Sequence, residues 1–159
     1  MEEAYDSKPE TLAHKSRVKF YMLKAIKELI NRAGLHDASK LLYPEKPVFD
    51  KMTPLLAKST YGSPEYMKML SQMKEALGHH YAKNSHHPEH YENGVDGMDL
   101  MDLVEMICDW SAAVERHNDG DIYKSIEKNT ERFNLSSQLV SILKNTVDRY
   151  IKYKKPTNL

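Results

Sequence analysis

The sequence predicts an all-α fold, a single bundle of about six helices. Apolar residues recur at helical spacing along most of the chain, alternating strand-like segments are scarce, and capping residues precede the apolar runs. A chain of 159 residues is long enough to bury a core as one domain, residues 1–159. Within it the expected metal-site core covers about 9–120, two further helices about 121–153, and a basic tail 152–159.

The first helix is expected from Pro9 or Glu10 to Ala33, closed by Gly34 as a left-handed cap. Its stripe is Val18, Met22, Ala25, Ile26, Leu29 and Ile30, and His14 lies one turn before it, toward the core side. A short second helix holds Asp37 to Leu42. The stretch from Tyr43 to Gly62, with Pro44, Pro47 and Pro54, reads as a loop carrying one short helix. Ser63-Pro64 is an N-cap followed by proline at the first helical position. The helix it opens should run to about Asn84 on a face of Tyr66, Met69, Leu70, Met73 and Leu77. Continuing that face turns His80, Asn84 and His87 inward and leaves His79 nearer the edge. After a turn-rich break at 93–97, a helix from Met98 to about Asn118 offers Leu100, Leu103, Val104, Ile107 and Trp110 to the core. Asp121 caps the next helix through Phe133, and Ser136 or Ser137 starts the last.

Lys+Arg and Asp+Glu balance at 23 each. That balance argues against a long nucleic acid or an anionic membrane as partner, and leaves room for a local phosphate pocket. Cys108 is the single cysteine, so no internal disulfide forms; a buried, inert thiol in a reducing cytoplasm is expected. No signal segment and no membrane-length apolar run is evident, which also points to a cytoplasmic protein. The methionine-rich face with Met67, Met69 and Met73 is a candidate homo-oligomer surface, although core packing is the commoner role.

The histidines carry the chemistry. Their order is His14, then His36-Asp37, then five within His79–His90, followed by Asp109 in mid-helix. Neutral imidazole and carboxylate suit intermediate divalent metals. His36-Asp37 aims a nitrogen and an oxygen from one rigid spot, and His14 and Asp109 complete a four-ligand set. His80 with His86 or His87 can hold a second metal, with Asp37 bridging, and a hydroxide between two such ions attacks phosphorus at neutral pH. Helical phase favours His80 and His86 as ligands, with His87 and Asn84 nearer the substrate. Lys40 can neutralise charge on a phosphoryl group, and Arg17 is a weaker phosphate candidate. Glu105 can orient a ligand histidine from behind.

The order His14 … His36-Asp37-x-x-Lys40 … Asp109 resembles the HD superfamily of helical metal-dependent phosphohydrolases, and the inserted histidines look like its binuclear branch. Three segments, 35–40, 80–90 and 105–110, look more like a family of small bacterial and phage proteins of unknown function. The resemblance implies an HD-domain-like helical fold, one or two metal ions per chain, and hydrolysis of a phosphate ester, commonly in a nucleotide. The expected function is therefore hydrolysis of a nucleotide or similar small phosphate ester through a metal-bound hydroxide. His87 would protonate the leaving oxygen, with Asp37 and Lys40 as the other catalytic residues. Manganese, iron, cobalt, zinc and nickel all accept this ligand mixture. A non-catalytic metal- or nucleotide-binding module is the alternative. An HD-type di-iron oxygenase ranks below it, because the site is richer in histidine than in carboxylate.

Overall fold

The computed structural model describes residues 5–56, 58–59, 63–116 and 120–151. It is all-α: seven α-helices joined by 3-10 turns, with no strand among the described residues. The helices are α1 (Lys8–Leu35), α2 (Glu45–Leu56), α3 (Pro64–Gln72), α4 (Lys74–Lys83), α5 (Leu100–Val114), α6 (Ile122–Phe133) and α7 (Ser137–Thr146). Contacts divide the chain into two compact units, residues 1–36 and 37–159.

The first unit is α1 and its short lead. Pro9 sits in the first turn, where a missing N–H costs nothing, and His36 caps the end. Gly34 is not the left-handed residue expected there; helical backbone runs through it, and the left-handed conformation falls to Asp37 at φ 56°. None of the residues of α1 is buried, His14 included. A unit made of one helix has no core of its own, so the expectation that His14 turns inward is not met within it.

The second unit begins with a 3-10 turn, Ala38–Leu41, in place of the expected short α-helix. The proline-bearing segment at 43–62, expected as a loop carrying one short helix, does carry a helix, but α2 is longer than expected at twelve residues. Pro47 falls in its first turn, where N–H groups need no intrahelical acceptor, and Pro54 falls near its end. The reading from Ser63 to Asn84 as one helix is also corrected. It breaks at Met73 (φ −95°, ψ 4°) into α3 and α4, and the Met73 side chain is buried at the break. Ser63 accepts from the Tyr66 N–H at 3.1 Å as the N-cap of α3.

Beyond the turns at 88–90 and 94–97, α5, α6 and α7 build the core from Met106, Ile107, Trp110, Ile126 and Leu143, joined by Leu135 between α6 and α7 and Val147 just after α7. Each helix is capped as its sequence demands. Asp99 and Asp102 form a capping box on α5, Asp121 accepts from Tyr123 and Lys124 N–H groups, and Ser136 accepts from Leu139. Asn134 takes the left-handed position after α6. Leu100, expected in the core, is 71% exposed because it is the first residue of α5. Cys108 is exposed instead of buried, one position after Ile107 and so turned off the core face; partial burial and nearby Glu105 still raise its thiol pKa. The expected end of this helix at Asn118 and the basic tail at 152–159 lie outside the described residues.

Ile126, 0% exposed at the centre of this cluster, should be costly to truncate. Ile126→Ala is expected to lose about 2–5 kcal/mol in urea denaturation. Leu100→Ala is expected to stay within about 0.5 kcal/mol of the parent.

Candidate metal centre

Asp37 opens the second unit in left-handed backbone, a conformation that aspartate tolerates better than most residues. The turn it begins is closed by the Lys40 N–H donating to the Asp37 carbonyl at 2.9 Å. The same turn brings Lys40 Nζ to 2.6 Å from Asp37 Oδ2, leaving the other carboxylate oxygen turned toward the histidines.

Four side chains of the second unit meet there. Asp37, His80, His86 and His87 each offer a donor atom, all within 4.8 Å of one another. Asp37 Oδ1 lies 3.2 Å from His80 Nε2 and 3.7 Å from His86 Nε2. His80 Nε2 and His87 Nε2 stand 2.9 Å apart, and the His86 and His87 rings lie 4.1 Å centre to centre. His80 and His86 are buried, with His87 half-buried.

What lies behind the rings decides which nitrogen faces the cluster. His80 Nδ1 is 2.9 Å from Glu45 Oε2, and His86 Nδ1 is 3.0 Å from Glu105 Oε1. A carboxylate on one ring nitrogen holds the proton there and presents the lone pair of the other. Glu45, on α2, is fully buried. Burial pushes its pKa up, but hydrogen bonds from His79, Ser39 and His80 outweigh it and hold the carboxyl below the ordinary range. His87 is driven down to about 3, first by burial, then by the neighbouring His86 and His80; Asp109 and Asp37 pull the other way. It is therefore neutral at pH 7, as a ligand must be.

The scaffold explains why these residues meet. His80 opens the last turn of α4 with His79 just before it, and Asn84 Nδ2 donates to the His80 carbonyl at 2.7 Å where the helix stops. The same amide reaches Ser39 Oγ at 2.8 Å, tying the helix end to the Asp37 turn. The segment carrying His86 and His87 is anchored to α5 by Asp102, which is 1% exposed. Its carboxylate accepts from Ser85 Oγ and Tyr91 OH at 2.6 Å each, and from the Asp99 N–H at 3.0 Å. Burial and the hydrogen bond to Asp102 push the Tyr91 hydroxyl up to about 12.

Of the residues singled out from sequence, Asp37, Lys40, His80, Asn84, His86, His87 and Glu105 come together in the second unit. Asp109, half-buried on α5, is near enough for its charge to act on His87. His14 and His36 belong to the first unit, one exposed on α1 and the other at its end. Sequence reasoning missed Glu45, Ser39 and Asp102. Glu45 and Ser39 gave no signal, because the histidines they meet are 34 to 41 residues away. Asp102 could have been found as the third residue of a capping box.

Two outcomes follow. Asp102→Ala removes the shared acceptor of Ser85, Tyr91 and Asp99, and is expected to cost about 1–3 kcal/mol in urea denaturation. In metal-free protein, His87 is neutral when folded but takes up a proton near its ordinary 6.5 when unfolded. The unfolded state thus binds more protons between pH 6.5 and about 3, so this contribution is complete above that window and is lost as pH falls through it. Denaturation midpoints should drop from pH 7 to pH 5, and drop less in His87→Gln.

No curated protein and no solved structure matches the chain. A family model described as a family of unknown function, DUF5662, matches residues 3–149. With nearly its whole length covered by that model, the chain belongs to the family DUF5662.

Proposed function

We propose that the protein is a metal-dependent phosphohydrolase of HD type, acting on a nucleotide or similar small phosphate ester. The observation that carries this reading is the convergence of three imidazoles on the Asp37 carboxylate, with Glu45 and Glu105 behind two of the rings. The donor set fits a divalent transition metal: nitrogen-rich, with one carboxylate, and with outer carboxylates that fix ligand protonation. Asp37, His80, His86 and His87 would hold the ion. Asp109, whose charge reaches His87, remains in the proposal as a further ligand, and His14 and His36 remain in it from their order in the sequence.

When bound, such a metal supplies Lewis acidity toward phosphate oxygens and toward water. The chain's own groups do the rest. Lys40 Nζ sits 2.6 Å from Asp37 Oδ2, where its charge can steady a phosphoryl group as negative charge builds during attack. Asn84, half-buried beside His80, spends its amide hydrogens on the His80 carbonyl and Ser39 Oγ, so a substrate oxygen would have to displace one of these acceptors. His87 reads better as a ligand than as the acid for the leaving oxygen. Held neutral down to about pH 3, it carries no readily released proton at neutral pH. Phe49, with Lys40 Nζ 5.4 Å from its ring centre, gives the lysine an apolar side that limits its hydration.

Elemental analysis of untagged protein beside Asp37→Ala tests the reading, followed by a screen of nucleoside mono- and cyclic phosphates with the metal found. Near-stoichiometric transition metal, lost in the variant, and phosphate release that falls about 100-fold or more in Lys40→Ala are expected. Metal uptake with no turnover of any phosphate ester would favour the binding-module alternative. Folded protein that takes up no metal contradicts the hydrolase and leaves a nucleotide-binding module as the account.

A further inference from the structure

The least exposed charged side chain near the centre is one that ligand spacing gave no reason to notice. Glu45 lies at the start of α2, 0% exposed, and both of its oxygens are engaged. Oε1 is 2.7 Å from His79 Nδ1. Oε2 is 2.9 Å from His80 Nδ1 and accepts from Ser39 Oγ at 3.0 Å. One carboxylate thus grips two consecutive histidines that point differently. His80 is buried against the cluster, whereas His79 keeps 34% of its side chain exposed.

Resting on the metal-centre reading above, we propose that Glu45 is the positioning residue of the centre: it keeps the His80 proton on Nδ1 and turns the Nε2 lone pair toward Asp37 and His87. The geometry makes this role specific. A neutral imidazole carries one ring proton, and a carboxylate only accepts. With Glu45 behind it, His80 donates from Nδ1 and must offer Nε2 as an acceptor, the form a metal requires. His79 serves the same arrangement from outside. By occupying Oε1 it stops the carboxylate rotating away from His80, so its own ring needs no place in the cluster. Ser39, from the Asp37 turn, adds a third restraint and ties the carboxylate to the ligand-bearing segment.

Glutamine is the informative replacement. It keeps the volume of Glu45 but offers one acceptor oxygen and one donor amide where two acceptors stood. It can therefore satisfy only one of the two histidines in its present form.

The test uses the full chain labelled with nitrogen-15. Histidine tautomers are read by long-range nitrogen–proton correlation in metal-free protein near neutral pH, and zinc affinity by calorimetry on the same samples. In the parent, His80 is expected as the Nδ1–H form. In Glu45→Gln, His80 should gain the Nε2–H form, and zinc affinity should fall about 10- to 100-fold. His79→Gln should leave His80 as Nδ1–H with a smaller loss of affinity. A parent His80 in the Nε2–H form overturns the proposal, and so does Glu45→Gln with unchanged tautomer and affinity. If Glu45→Gln fails to fold, the parent spectrum still decides. A parent chain that takes up no zinc overturns the metal reading alone; the His80 tautomer in that sample then upholds or overturns the role of Glu45.

Discussion

Everything around the centre follows from one constraint: imidazole nitrogens and a carboxylate oxygen are packed into a space where they cannot all satisfy one another. His80 Nε2 stands 2.9 Å from His87 Nε2 and 3.2 Å from Asp37 Oδ1. With the His80 proton held on Nδ1, its Nε2 has only a lone pair to offer. Without metal, one proton on His87 Nε2 can bridge the two rings. A cation held there by His80, His87 and Asp37 would satisfy these acceptors together, which no single proton can do. Burial sharpens the point, since acceptors shielded from water gain more from a shared positive charge.

The rest of the second unit reads as a frame that keeps these groups facing each other. α2 contributes Glu45 and lies against α4 and the Asp37 turn. α4 delivers His79 and His80 near its C-terminal end. The segment with His86 and His87 is held from α5 twice over: Glu105 takes His86, and Asp102 takes Ser85 and Tyr91 on either side. The apolar cluster that α5 shares with α6 and α7 lies on the opposite face of α5 from Glu105. Stability and chemistry therefore draw on different faces of one helix. A loss of core packing and a loss of a ligand should separate experimentally.

Much of this could be read from the chain, because local rules govern it. Ser63, Asp121 and Ser136 announce helix starts through hydrogen bonds made within three residues. The inward phase of His80 follows from the apolar face of Tyr66, Met69 and Met73, even though the helix breaks at Met73. Where sequence reasoning failed, the reason is distance or context. Prolines suggested a loop with one short helix at 43–62, but α2 takes twelve of those residues because Pro47 sits where a helix needs no N–H. The importance of Glu45 rests on partners 34 and 35 residues away, and no periodicity encodes that. Leu100 and Cys108 were misplaced because composition says how apolar a helix is, while the capping box sets where it begins.

The most direct test of the central claim is X-ray absorption spectroscopy of the zinc-loaded chain at one equivalent, beside His87→Gln. The account predicts nitrogen and oxygen donors at about 2.0–2.1 Å, with the outer-shell scattering of at least three imidazoles, and one fewer in the variant. A shell of oxygens without imidazole scattering, or a spectrum unchanged by His87→Gln, would contradict it.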